Sequence, residues 1–192
     1  MQPGTRQKNG SLLGRNISMS TPDPARLFLA LWPSPAVRAG LLAWRDGWDW
    51  PRAAAPVAPE RLHLTLHFLG NVPDAVLPDL VARLRLPLRG FALRLGRAAL
   101  WPHGVAVLEP AQAPPALLEL RAALGGVVRG IGLPLDARPF RPHVTLARRA
   151  GQAAQPGSGP VIDWRVRAYA LMSSTLGERG AYSLVQRYPL GR

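Results

Sequence analysis

Two segments of the sequence carry the same arrangement of side chains that can exchange protons and bind anions. The strings HLTL, from His63, and HVTL, from His143, each place a threonine two positions after a histidine. With four histidines and five threonines in 192 residues, chance predicts about 0.1 such pairs. Because residues i and i+2 of a strand point to one face, each histidine emerges beside its threonine while the aliphatic residues face a core. We expect two such strands to present two imidazoles and two hydroxyls to one ligand.

These groups are suited to the cleavage of a phosphate ester without a metal ion. A neutral imidazole accepts a proton from the attacking hydroxyl or water, and a protonated imidazole on the opposite side donates one to the departing oxygen. Histidine exists in both states near neutral pH, provided that the surroundings of the two rings separate their pKa values. The hydroxyls of Thr65 and Thr145 can donate to the phosphoryl oxygens, and Arg148 or Arg141 can add a forked cation.

Other kinds of active site are poorly matched. The chain has no cysteine and therefore no thiol nucleophile. His63 and His67 are four residues apart in a predicted strand, where they do not converge on a zinc ion. The sequence also contains no Gly-rich phosphate loop and no G-x-S-x-G segment. A single His-x-Thr pair is most often an ordinary polar pair, so the duplication is what favours a functional site. Strict alternation places His67 on the face of His63, as a residue of the cleft wall.

Local patterns predict the elements that position these residues. Arg26–Trp32 is a short apolar run typical of a buried strand, and Ser34 followed by Pro35 predicts the start of a helix. Alternation over Arg61–Leu69 predicts a strand in which Phe68 faces the core with the leucines. The other predicted elements are strands at Phe91–Leu100, Val105–Glu109, Arg141–Arg148, Trp164–Ser173 and Tyr182–Leu190, with helices at Leu77–Arg85 and Pro115–Arg129.

The two halves of the chain repeat each other. A displacement of 80 residues places Pro35 on Pro115 and His63 on His143. Each half then reads strand, proline-started helix, loop and His-x-Thr strand. This order predicts two similar α+β lobes related by a pseudo-twofold axis, with the motif strands meeting between them.

Composition limits the class of protein. The 192 residues are 47% hydrophobic and 18% charged, as in a globular domain. Met1–Ala25 is polar and lacks periodicity, so we expect a disordered N-terminal extension followed by a single bilobal domain over 26–192. No uncharged apolar run approaches the ~20 residues of a membrane span, and Ser11–Met19 lacks the apolar core of a signal peptide. The absence of cysteine fits a cytoplasmic protein.

The chain is strongly basic, with a net charge of +13. Lys8 is its only lysine, so the cations are almost entirely arginines. Two interpretations of this charge remain open. It is either an ordinary solvated surface or a surface that attracts a polyanion such as RNA, whose phosphates suit the forked guanidinium.

The two histidine segments also resemble a known family. RLHLTLHFLG, from Arg61, and RPFRPHVTLAR, from Arg138, are similar to the signature motifs of bacterial and archaeal RNA 2′,3′-cyclic phosphodiesterases, formerly called 2′-5′ RNA ligases, of the 2H phosphoesterase superfamily. The opening RLFLAL and the closing SSTLGERGAYSLVQRYPL resemble that family's first and last strands, so the likeness extends from about Arg26 to Leu190.

The resemblance implies a bilobal α+β fold in which two mainly antiparallel sheets flank a central cleft and the helices lie outside. It also implies hydrolysis of RNA 2′,3′-cyclic phosphate to 2′-phosphate without a metal or cofactor. It implies that His63 is the general acid that protonates the leaving 3′ oxygen and His143 is the general base that activates water. Thr65 and Thr145 match the phosphate-binding hydroxyls, and Arg148 matches a family arginine. Strict alternation puts Arg148 on the face opposite His143, so it reaches the phosphate only if the strand ends or bulges there.

We therefore expect a monomeric enzyme that acts on RNA with 2′,3′-cyclic phosphate ends, with tRNA fragments as one candidate substrate. Reverse 2′-5′ joining of RNA halves would use the same site. Two alternatives stay open at this point: a non-enzymatic RNA-binding module, and a sister cyclic phosphodiesterase that acts on small nucleotides.

Overall fold

The computed structural model describes residues 26–175 and 181–192. The predicted extension Met1–Ala25 and the predicted turn Gly177–Gly180 lie outside the described residues. None of the helices in the described part of the chain is long and apolar enough to cross a membrane.

The described residues form strands, three helices and two 3₁₀ turns, the latter at Pro59–Arg61 and Pro102–Gly104. The helices are α1 (Pro35–Asp46), α2 (Leu77–Arg83) and α3 (Pro115–Gly130). The strands are β1 (Arg26–Leu31), β2 (Ala55–Pro56), β3 (Leu64–Asn71), β4 (Phe91–Trp101), β5 (Val105–Pro110), β6 (Val144–Arg148), β7 (Ile162–Val166), β8 (Ala168–Ser174) and β9 (Tyr182–Pro189).

The strand order is symmetric about the centre of the sheet. It runs β7-β4-β5-β6-β3-β1-β8-β9, with β2 paired to β6, and these pairings are antiparallel. Strands at equal distances from the centre correspond to each other: β6 to β3, β5 to β1, β4 to β8 and β7 to β9. Helices α1 and α3 follow the equivalent strands β1 and β5. The predicted two-lobed antiparallel α+β fold is confirmed. The two predicted sheets are joined into one, because Leu64 pairs with Val144 at the centre.

The helices cover one face of this sheet. Helix α1 packs against β6 and β7, and α3 packs against β3 and β4, so that one continuous apolar core lies beneath both. Ser34 caps α1, where its hydroxyl accepts from the Val37 N–H at 3.4 Å, as the sequence predicts. A smaller apolar cluster that includes Phe28 and Met172 lies on the other face.

The predicted strand Trp164–Ser173 is wrong as a single element. It is divided at Arg167 into β7, which pairs with β4, and β8, which pairs with β1 and β9. The chain therefore passes from one end of the sheet to the other at this point. A continuous apolar pattern cannot reveal such a division, because both strands have the same local propensity and differ only in their distant partners.

Both histidine strands contain a β-bulge at the same place. Across from β1, Leu29 pairs with His67 but Ala30 pairs with Thr65, so Leu66 is an extra residue. Across from β5, the same skip makes Leu146 an extra residue. The burial patterns of β3 and β6 consequently agree over five positions: buried, half-buried, buried, buried, exposed.

The bulges reverse the alternation beyond the threonines. His67 is buried beneath α3 and Phe68 is 56% exposed, so the predicted faces of these two residues are wrong. In β6 the same reversal buries Ala147 and exposes Arg148 on the side of His143. The bulge therefore places Arg148 on the face of His143, which strict alternation of the strand would not allow.

Candidate active site

The two His-x-Thr segments meet at the centre of the sheet. Strands β3 and β6 pair at their first residues, where Leu64 lies opposite Val144. In an antiparallel pair this register brings His63 beside Thr145, and Thr65 beside His143, on the face away from the core. The structure thus brings all four predicted side chains to one place.

A backbone carbonyl fixes the orientation of each imidazole. Nδ1–H of His63 donates to the Arg61 oxygen at 2.7 Å, and Nδ1–H of His143 donates to the Arg141 oxygen at 2.6 Å. Since a carbonyl can only accept, Nδ1 carries the proton in both rings, and Nε2 is left for chemistry. The Nε2 atom of His63 lies 3.1 Å from Thr65 Oγ1, whose hydroxyl donates to the neutral ring.

Aromatic rings enclose His63. Trp32 stacks on it at a centroid distance of 5.3 Å and an angle of 8°, and Phe28 and Tyr182 lie at 5.2 and 5.4 Å. The pKa of His63 is lowered to about 4. Burial is the main cause, the positive charges of His143, Arg61 and Arg148 act in the same direction, and the hydrogen bond to the Arg61 carbonyl opposes them. The ring is therefore neutral at pH 7 in the free protein.

His143 has a different environment. Trp101 lies against it with a centroid distance of 4.3 Å. Burial lowers the pKa of His143, while the negative charge of Glu109 raises it in part. The two histidines therefore differ in the charges that act on them: Glu109 favours the protonated form of His143, whereas the cations near His63 favour its neutral form.

Glu109 is a buried carboxylate that binds the residues around His143. It accepts hydrogen bonds from Trp101 Nε1 and Arg141 Nη2, both at 3.1 Å, and forms an ion pair with Arg97 Nη2 at 2.7 Å. The guanidinium of Arg141 also lies over the Trp101 ring, 4.1 Å from its centroid. This network fixes the positions of the two residues that contact His143, namely Trp101 through its ring and Arg141 through its carbonyl.

The network bears on the choice between the two candidate arginines, Arg141 and Arg148. Arg141 was one of two candidates from the sequence, but its guanidinium is engaged by Glu109 and Trp101. Arg148 forms no ion pair with any described residue, and its charge reaches both histidines, since it lowers the pKa of each. Arg148 is the better placed of the two.

Sequence reasoning missed the aromatic residues and Glu109. Trp101 and Glu109 stand on neighbouring strands β4 and β5, and no local spacing links them to His143. The 80-residue repeat did contain one signal. Arg61 and Arg141 are equivalent in it, and their guanidiniums both lie over an aromatic ring, that of Tyr182 at 4.7 Å and that of Trp101 at 4.1 Å.

Residues that could bind a metal ion are not gathered in the described ranges, where no group of three or more histidines and carboxylates occurs. The side chains that the described residues bring to the site include two imidazoles, two hydroxyls and the Arg148 cation.

A sheet with a symmetric strand order and two central His-x-Thr strands defines a two-histidine phosphoesterase fold. The chain belongs to the 2′-5′ RNA ligase superfamily, whose family model matches residues 33–175. It is 34% identical to the RNA 2′,3′-cyclic phosphodiesterase of Escherichia coli, over 88% of this chain and 98% of that protein. It is 33% identical to the RNA 2′,3′-cyclic phosphodiesterase of Thermus thermophilus, over 86% of this chain and 90% of that protein.

A solved structure shows the same likeness. The crystal structure of E. coli LigT complexed with 3′-AMP superposes with a TM-score of 0.81 at 32% identity, over 88% of this chain and 100% of that chain.

Proposed function

We propose that this protein hydrolyses RNA 2′,3′-cyclic phosphate ends to 2′-phosphates by two-histidine acid and base catalysis. The observation that carries the proposal is the pair of imidazoles whose Nδ1–H groups are fixed by carbonyls and whose Nε2 atoms are left for chemistry on one face. The names of the two relatives identify the substrate class.

The reaction needs two proton transfers and no group beyond the side chains named. Nε2 of His143 takes a proton from water as the water oxygen attacks phosphorus. The bond between phosphorus and the 3′ oxygen breaks, and protonated His63 gives its Nε2 proton to that oxygen. The products are a 2′-phosphate and a free 3′-hydroxyl. Proton exchange with solvent then deprotonates His143 and protonates His63 again.

The division of roles follows the family resemblance, and the charges at the site determine what each role requires. When His143 takes the proton of water it becomes an imidazolium, which the negative charge of Glu109 stabilises. His63 must be protonated in the complex although its pKa is about 4 in the free protein. A bound phosphodiester places a negative charge beside the ring, and this raises the pKa of His63.

The remaining side chains bind the phosphate. Thr65 and Thr145 donate to its non-bridging oxygens, which requires Thr65 to exchange its present contact with His63 for one with the ligand. Arg148 supplies the cation that neutralises the charge developing on these oxygens.

The cellular setting follows from the same proposal. We infer that the protein acts as a monomer in the cytoplasm, a compartment that suits a chain without cysteine. RNA fragments with cyclic phosphate ends, such as cleaved tRNA, are the inferred partners. Because hydrolysis and its microscopic reverse use one site, weak 2′-5′ joining of RNA ends is expected as well.

The deciding experiment is an assay on an oligonucleotide with a 2′,3′-cyclic phosphate end in the presence of a metal chelator. We expect hydrolysis that leaves the phosphate on the 2′ oxygen. H63A and H143A each lose at least about 100-fold in kcat while RNA binding is kept. H103N is the matched control, because His103 is exposed in the turn Pro102–Gly104.

Two other results would assign a different function. RNA binding without turnover in the wild-type protein would favour a non-enzymatic binding module. Equal kcat/KM for a cyclic mononucleotide and an oligonucleotide, with no salt dependence for either, would favour a small-nucleotide phosphodiesterase.

A further inference from the structure

A second basic cavity lies on the helix-covered face of the sheet. Its volume is about 440 Å³, and it is formed by α3, by the buried His67 of β3 and by the segment Leu135–Phe140. Since His67 and His63 point to opposite faces, this cavity is separate from the place where the two catalytic histidines meet.

The cavity carries positive charge without a matching anion. Arg138 is paired with Asp136, whose carboxylate accepts from its Nε at 2.9 Å. Within residues 26–175 and 181–192, neither Arg121 nor Arg129 forms an ion pair. Three arginines and the single carboxylate of Asp136 line the cavity, which leaves it a net positive charge.

Arg121 is held in position inside the cavity. Its backbone oxygen accepts from His67 Nε2 at 2.8 Å, and its guanidinium lies 4.5 Å from the centroid of the Phe140 ring. The Nε of Arg121 is buried and has no hydrogen-bond partner in the described part of the molecule. A buried donor without a partner is costly.

One residue that lines this cavity, Phe140, is close to His143 in the chain. Phe140 also lines a smaller cavity of about 180 Å³, which Arg97, Glu109 and Arg141 share. Phe140 and His143 are three positions apart in the chain, so their Cα atoms are at most about 11 Å apart. A nucleic acid strand that leaves the catalytic site along the segment Phe140–His143 reaches the cavity within a few nucleotides.

We propose that this cavity binds a phosphate of the RNA strand upstream of the cyclic end, with Arg121 and Arg129 as its ligands. Two guanidiniums beside an aromatic ring suit a phosphodiester, because the guanidinium fork matches phosphate oxygens. The inference rests on the proposed function and adds to it a reason to select RNA over a mononucleotide.

The test compares R129Q and A122E with R165Q. Arg129 and Ala122 line the cavity and are exposed on α3, and A122E places a carboxylate there without removing a packed side chain. Arg165 is an exposed residue of β7, and R165Q lowers the net charge by the same amount as R129Q. KM is measured over a range of salt for an oligonucleotide with a cyclic phosphate end and for a cyclic mononucleotide.

We expect both cavity variants to raise the oligonucleotide KM several-fold and to reduce its salt slope by about 1, with kcat and all mononucleotide constants unchanged. If R129Q and A122E behave like R165Q, the cavity does not bind RNA.

Direct binding separates this proposal from the proposed function. The affinity of a labelled oligonucleotide is measured by fluorescence anisotropy in the H143A background, where no turnover is needed. Weaker binding on adding R129Q supports the cavity even if the wild-type protein hydrolyses no cyclic phosphate. If R129Q weakens the binding of inorganic phosphate but not the binding of the oligonucleotide, the ligand is a free phosphate compound, and the assignment to RNA is overturned.

Discussion

The two catalytic candidates are chemically identical residues in unlike surroundings. His63 lies among Trp32, Phe28 and Tyr182, and the described residues whose charges act on it are cationic, whereas His143 has the buried Glu109 nearby. Both rings keep the same tautomer because each donates Nδ1–H to a carbonyl two residues earlier. The motif therefore fixes the orientation of the rings, and the neighbouring strands give them different affinities for a proton.

Glu109→Gln tests the role of the buried carboxylate. The change keeps the shape and an acceptor oxygen but removes the charge that raises the pKa of His143, so that pKa falls further. The imidazolium formed during catalysis is less stable, and we expect kcat to drop about tenfold, equivalent to about 1.4 kcal/mol, with a smaller change in KM. The His143 pKa is followed by NMR titration.

Asp163→Asn is the matched control for this charge. Asp163 is an exposed carboxylate that pairs with Arg94 at 2.9 Å on strands away from His143. An E109Q protein with the wild-type His143 titration and the wild-type kcat would show that Glu109 is only structural.

At the scale of the element, the β-bulge of β6 turns Arg148 to the face of His143. We expect Arg148→Gln to lower kcat/KM by about 10- to 100-fold, the loss of one charge-assisted hydrogen bond to the phosphoryl group. Arg149→Gln removes the same charge one residue further along and is expected to retain nearly full activity. Equal losses in both variants would mean that only the overall positive charge matters.

The turn between β4 and β5 positions Trp101, and Gly104 is essential to it. Gly104 has a φ of +67°, and an added Cβ would lie 2.7 Å from the Gly151 N and 2.8 Å from the Ala150 N. Both contacts are to backbone, so neither can move aside cheaply. We expect Gly104→Ala to reduce the free energy of unfolding by at least about 2 kcal/mol, as measured by urea denaturation.

A glycine in open space provides the comparison. A Cβ at Gly126 in α3 meets nothing within 4 Å. Gly126→Ala should therefore stabilise the protein by up to about 1 kcal/mol through helix propensity. If Gly104→Ala also leaves the free energy of unfolding undiminished, the turn adapts without strain and does not restrain Trp101.

At the scale of the whole molecule, one apolar core joins the two halves of the sheet. It includes Leu29 and Leu31 of β1 together with Leu108 of β5 and Trp164 of β7. We therefore expect the halves to unfold together, so that the protonation of one buried histidine changes the stability of the entire protein.

The stability should depend on pH through His63. In the unfolded chain His63 binds a proton near pH 6.5, whereas in the folded protein it does so only near pH 4. Its contribution is fully present above pH 6.5 and is lost as the pH falls toward 4, because the unfolded state takes up the proton first. The shift corresponds to about 3 kcal/mol.

Urea denaturation at pH 7 and pH 5 measures this effect. His63→Gln should show a smaller loss of stability between the two values than the wild-type protein, whereas His103→Asn should behave like the wild type. The opposite slope, with stability increasing toward acid, would exclude a neutral buried His63.

Local sequence determined most of the elements and the identity of the central residues. Ser34 and Pro35 start α1, apolar runs mark the strands, and the two His-x-Thr segments identify each other by their duplication. These features depend on contacts within a few residues or on a repeat visible along the chain. For that reason they can be read without knowing which strands become neighbours.

The tertiary structure decided what lies next to these residues. The skipped residues Leu66 and Leu146 appear only when β3 and β6 pair with β1 and β5, and the skips turn His67 inward and Arg148 outward. Glu109 acquires its role only because three donors from elsewhere in the chain reach one buried carboxylate. Strand pairing and burial depend on partners far away in sequence, so the periodicity of a single strand does not encode them.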